Sequence, residues 1–88
     1  MLQLVFLGSF IKDSEKTKRR GKNMQKFEEI IQLLIEQKPL SIKYRNHKLT
    51  GNFVGYWECH IEPDWLLIYK KTATAIILTR MGTHSDLF

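Results

Sequence analysis

Trp65-Leu66-Leu67-Ile68-Tyr69 and, a short polar step later, Ala75-Ile76-Ile77-Leu78 decide how this chain folds. Each run is too short for a helix of ordinary length and is apolar at every position. That pattern marks an interior strand of a sheet covered on both sides, or nearly so. Lys71 to Thr74 joins the two as a tight turn, although it lacks the Gly or Asn that such turns favour. The hairpin is the middle of a sheet, and the rest of the chain must supply its neighbours and its cover.

Working back toward the N-terminus, Pro63 breaks the ladder, as Pro does at the edge or start of a strand. Trp57 to Ile61 reads as the second arm of another hairpin, punctuated by Gly51-Asn52 and Gly55. Before Pro39 the period is helical: Met24, Phe27, Ile31 and Leu34 recur on one face, widened by Ile30 and Leu33. Asn23 is a candidate N-cap, Glu28 and Glu29 lie in the early turns, and Pro39 is the expected stop. Ser9 is the candidate cap of an earlier helix that reaches about Arg20 and stops at Gly21, with Phe10 and Ile11 as its only large apolar residues. Leu2 to Leu7 reads as a strand. The expectation is an α+β fold in one domain, residues 1–88. An N-terminal strand and two helices pack on a mainly antiparallel sheet of about four to five strands.

The chain has 88 residues, 43% of them hydrophobic, which suits a modest packed core. Its single cysteine, Cys59, excludes an internal disulfide and agrees with a reducing cytoplasm. The apolar stretch at Met1–Leu7 has no basic lead and stops at Gly8, too short for a signal peptide or a membrane span. The sequence reading is therefore a cytoplasmic protein with no membrane partner. Between Lys12 and Lys26 seven basic residues face only Asp13 and Glu15, which accounts for the chain's whole net charge of +5. Lys38 to Trp57 adds Lys38, Lys43, Arg45 and Lys48 with no carboxylate, interleaved with Tyr44, Phe53, Tyr56 and Trp57. Cations hold phosphates and aromatic faces stack on unpaired bases, so Lys43, Arg45, Lys48 and Trp57 are candidate RNA contacts. An acidic protein partner, or plain solvation, accounts for the same surface.

The chemistry can come from His47, His60, His84, Asp64 and Arg80. If the central hairpin turns near residues 72 and 73, Arg80 falls opposite Trp65 and beside Asp64, with His84 four residues on. A turn near Phe53 and Val54 sets His47 opposite His60. Imidazole gives and takes protons near neutral pH, and a guanidinium forks onto phosphate oxygens. Such a set suits metal-free RNA cleavage, in which a 2′-hydroxyl loses its proton, attacks the adjacent phosphate and expels a 5′-oxygen. Each residue also has a plain structural reading. His47 can be a hydrogen-bonded surface residue, Asp64 a turn former after Pro63, Arg80 an ion-pair partner and Cys59 a small buried filler. The histidine spacing offers no paired-ligand pattern for zinc, and no Gly-rich phosphate loop is present.

The run Glu58-Cys59-His60-Ile61-Glu62-Pro63-Asp64-Trp65-Leu66-Leu67-Ile68-Tyr69 and the ending Arg80-Met81-Gly82-Thr83-His84-Ser85-Asp86-Leu87-Phe88 resemble YafQ-type toxins of the RelE/ParE superfamily. Phe10-Ile11-Lys12-Asp13 and His47-Lys48-Leu49-Thr50-Gly51 extend the likeness over nearly the whole chain. The resemblance implies a RelE-like fold and the toxin half of a type II toxin–antitoxin pair. Such a toxin enters the ribosomal A site and cuts mRNA there with no metal or cofactor. A cognate antitoxin wraps and blocks it, and operator DNA is met only through that complex. It carries function onto His47, His60, Asp64, Trp65, Arg80, His84 and Phe88. His84 and Asp64 stand first for acid–base roles, Arg80 as the phosphate clamp, and Phe88 as a stacking or packing residue. Trp65 is either a wall of the site or core. Trp57 stands where the family commonly has Arg, so a phosphate contact is lost or exchanged for stacking. Two other functions share these features: a ParE-like gyrase inhibitor, which lacks a histidine-rich site, and a non-catalytic module binding nucleic acid or antitoxin.

Overall fold

The structure, a computed structural model, describes residues 1–88. The elements are β1 (Gln3–Phe6), α1 (Gly8–Arg19), α2 (Met24–Ile35), β2 (His47–Lys48), β3 (Trp57–Glu62), β4 (Trp65–Lys71), β5 (Ala75–Gly82) and a terminal turn of helix, α3 (His84–Leu87). The five strands lie in the order β1-β5-β4-β3-β2. β1 runs parallel to β5 and every other pair is antiparallel. This is the α+β architecture expected from the apolar hairpin.

One face of the sheet carries the core. Phe10 of α1 and Phe27, Ile30, Ile31 and Leu34 of α2 pack on Cys59, Ile61, Trp65, Leu67, Tyr69, Ile76, Leu78 and Met81. Each large apolar side chain so buried contributes about 1.5–3 kcal/mol. Leu66 and Ile68 alternate with these and point to the other face, where both are also buried. The turn at Lys71–Thr74 closes without Gly or Asn because the Thr72 hydroxyl accepts from the N–H groups of Ala75 (3.0 Å) and Thr74 (3.3 Å).

Of three local expectations at the helix ends, two are corrected and one holds. Ser9 does not cap α1: the cap position is Leu7, and the Ser9 hydroxyl donates to the Thr79 carbonyl on β5 at 2.7 Å. Asn23 does cap α2, accepting from the Gln25 N–H. Pro39 does not end that helix. A left-handed Gln37 (φ 57°) closes it after Ile35, with Lys38 N–H bonded to the Leu33 carbonyl and Gln37 N–H to that of Leu34.

The strand registers also differ from the expected ones. Arg80 lies opposite Ile68, not Trp65. The turn centres one residue later than residues 72 and 73, since Lys71 pairs with Ile76, and a bulge inserts an extra residue between Leu78 and Arg80. Together these move Arg80 to the other face of the sheet from Trp65. His47 pairs with Glu58 rather than His60, a shift of two that keeps His47 and His60 on one face.

Candidate active site

Cross-strand partners share a face, and two rows cross the side of the sheet opposite the helix-packed core. One row runs His47, Glu58, Ile68, Arg80; the next runs His60, Leu66, Gly82. Ile68 and Leu66 are the apolar floor, and the polar members stand around it.

His47 and His60 converge on Glu58. The rings lie 6.3 Å apart between centroids. His60 Nε2 is 3.3 Å and His47 Nε2 is 3.7 Å from the same oxygen, Glu58 Oε1. Each Nδ1 meets a backbone carbonyl instead: Pro63 at 3.2 Å for His60, Arg45 at 2.6 Å for His47. A carbonyl only accepts, so each Nδ1 carries the hydrogen, and each Nε2 faces the carboxylate. Both Nε2 atoms thus face one carboxylate, on a residue that is only 4% exposed. Glu58 was absent from the candidates read in the sequence. The signal that could have found it is its spacing of two from His60, which puts both on one face of a strand.

The second group is built by the C-terminal turn. Gly82 lets the chain fold back: a Cβ there would lie 2.8 Å from Asp86 Oδ2. Thr83 caps α3, accepting from Asp86 N–H while Asp86 accepts from Thr83 N–H at 2.9 Å. Arg20, at the C-cap of α1, then forks onto Asp86 at 2.6 and 3.2 Å, and Lys16 adds a contact at 3.3 Å. These bonds, the Arg20 fork first, hold the Asp86 carboxyl well below the usual carboxylate range. Asp64 closes the turn from the other side by accepting His84 N–H at 2.9 Å. The exposed His84 ring packs against Phe88 at 5.1 Å, and Phe88 meets Phe53 edge to face at 5.4 Å.

The expected cluster of Asp64, Arg80 and His84 thus forms only in part. Asp64 and His84 come together, but through the backbone of His84 and not its imidazole. Arg80 turns to Asp13 of α1, with Nε 2.6 Å from Oδ2. No hydrogen bond joins the His84 ring to His47 or His60.

Among the RNA-contact candidates, Lys43 and Arg45 are exposed and line a cleft of about 470 Å³ that His60 also borders. Trp65 is 1% exposed in the helix-side core, so no base can stack on it. Trp57 and its partner Lys48 face the helix side as well, with the Trp57 ring stacked on Tyr69 and Lys48 Nζ 5.5 Å from its centre. They are turned away from the two histidine rows, because alternation along β3 puts Trp57 opposite to Glu58. Cys59 is fully buried, and burial pushes its thiol up to about 12, which leaves it an inert filler. No three His, Cys, Asp or Glu side chains are disposed to hold a metal ion. No helix is long and apolar enough to cross a membrane.

The fold is that of a class of small bacterial toxins. A family model described as a bacterial toxin of type II toxin–antitoxin systems, YafQ, matches residues 2–88. The chain belongs to the YafQ toxin family. The mRNA interferase toxin YafQ of Escherichia coli (strain K12) is 40% identical over 84 residues, covering 94% of this chain and 91% of that one. A copper-bound mutant toxin from Helicobacter pylori superposes with a TM-score of 0.96 at 38% identity, covering the whole of both chains. YafQ in the E. coli DinJ–YafQ complex superposes with a TM-score of 0.92, also at 38% identity, covering 100% of this chain and 99% of that one.

Proposed function

We propose that this toxin is an mRNA interferase that cuts messages engaged in the ribosomal A site, by attack of a 2′-hydroxyl on the adjacent phosphate. The E. coli relative is an mRNA interferase at 40% identity over most of the chain, which supports the endoribonuclease class. The observation that carries the chemistry is the pair of imidazoles, each anchored by Nδ1 to a carbonyl and presenting Nε2 to Glu58. Such groups can take the 2′-hydroxyl proton and relay it. His84, exposed on a capped turn beside Phe88, can deliver a proton to the leaving 5′-oxygen while Phe88 stacks on a neighbouring base. Asp64 serves this step by fixing the backbone of His84 rather than by moving a proton itself. Arg80 clamps the phosphate and offsets the charge that develops on it.

Lys43 and Arg45, at the cleft beside His60, contact the RNA strand. No step is routed through a metal ion. The partners are a cognate antitoxin, as E. coli YafQ has in DinJ, and the ribosome with its mRNA in the cytoplasm; operator DNA is reached through the antitoxin. A gyrase inhibitor or a purely binding module would have no use for the buried carboxylate between two imidazoles.

Primer extension on transcripts from cells in which the toxin is induced tests this reading. Cuts should appear only within translated frames and should vanish when initiation is blocked. Intact transcripts in growth-arrested cells would overturn it.

A further inference from the structure

Arg80 is paired with Asp13 of α1. Its Nε and Nη2 lie 2.6 and 3.3 Å from the two carboxylate oxygens of Asp13, a side-on fork. Asp13 Oδ2 also accepts Met81 N–H at 3.0 Å. The reason lies in the sheet. β1 ends at Phe6, paired with Leu78, so the edge of β5 beyond it has no strand to bond. α1 runs along that edge, and its Asp13 takes the place of a strand. One carboxylate thereby fixes both the β5 backbone and the guanidinium of the neighbouring residue.

A guanidinium has five N–H donors. The side-on fork uses Nε–H and one hydrogen of Nη2, and Nη1 has no protein partner. The remaining donors on Nη1 and Nη2 form a second, end-on fork, which matches the two non-bridging oxygens of a phosphodiester. The Asp13 side chain is 15% exposed against 36% for Arg80, so the inner partner is the anchor and the outer one is presented.

We propose that Asp13 is a positioning residue for RNA cleavage, locking Arg80 so that its end-on fork meets the scissile phosphate. The proposal rests on the reading of Arg80 as the phosphate clamp. A small misplacement of such a group costs about 10²-fold in rate, and loss of the group about 10²–10³-fold.

The test is single-turnover cleavage on programmed ribosomes by wild type, Asp13→Asn, Arg80→Ala and the double variant, with thermal melts of each. Asparagine can still accept Met81 N–H but no longer pairs with a cation. Asp13→Asn should lower the rate at saturating toxin by about 10²-fold, with the half-saturating concentration nearly unchanged. The double variant should be no slower than Arg80→Ala. If Asp13→Asn melts below the assay temperature, Asp13→Glu replaces it: the charge stays, the fork shifts, and the same loss is expected. A wild-type rate in the folded Asp13 variant beside a slow Arg80→Ala, or losses that multiply in the double variant, would overturn the role of Asp13 alone. A wild-type rate in Arg80→Ala would remove the clamp itself and the positioning role with it.

Discussion

Asp64 Oδ1 accepts the backbone N–H of His84 at 2.9 Å, tying the loop after β3 to the turn that carries the last imidazole of the chain. An N–H at the start of a helical turn has no partner within the helix, and a side-chain oxygen supplies one. Asp64 therefore sets where His84 stands, the residue proposed to protonate the leaving oxygen.

Asp64→Ala should loosen the turn without unfolding the sheet. Loss of a cap of this kind costs about 0.5–2 kcal/mol, and cleavage should fall because His84 is no longer held. Asp64→Asn keeps an accepting oxygen and should retain most of the activity. Cleavage by Asp64→Asn as slow as that of Asp64→Ala, with equal melts, would mean that the charge itself takes part.

Gly82 is the second hinge of the same turn. A methyl group there would meet Asp86 Oδ2 at 2.8 Å and Asp86 Cβ at 2.9 Å, closer than side-chain carbons are found. Gly82→Ala should displace α3, lower the melting temperature by a few degrees as for about 1 kcal/mol in a domain of this size, and depress cleavage. Unchanged cleavage would show that the site tolerates a displaced tail.

Much of this architecture is legible in the chain, and the failures have physical causes. The paired apolar runs at Trp65 and Ala75 define the central hairpin, and the helical period of Met24 to Leu34 defines α2. Register was not legible, because a turn without Gly hides its centre and a bulge near Thr79 leaves no trace in hydrophobicity. That single uncertainty separated Arg80 from Asp13, its true neighbour. Glu58 was missed because a carboxylate in a strand looks solvent-facing until the strands beside it are placed. Trp57 and Lys48 looked like RNA contacts by composition, and only their face excludes them from the site.

The Asp86 anchor gives a pH dependence with a definite sign. Its carboxyl is held well below the usual range by the Arg20 fork and the Thr83 cap, so the stabilisation is present above the unfolded carboxylate value and lost as pH falls through the folded one. The stability difference between wild type and Asp86→Asn should stay constant from pH 7 to about 5. It should shrink only below about 4, near the ordinary aspartate value. Melts across that range check it, and a difference that disappears by pH 6 would place its origin elsewhere.

The measurement that bears most directly on the cleavage mechanism is single-turnover mRNA cleavage by His84→Ala on programmed ribosomes, with melts of the same samples. His84 is exposed in the tail after β5, so its truncation should shift stability by about 0.5 kcal/mol or less. Loss of a proton-transfer group should slow cleavage by about 10²–10⁴-fold. A folded His84→Ala protein that cuts at the wild-type rate would contradict the account and leave proton transfer to His47 and His60 around Glu58.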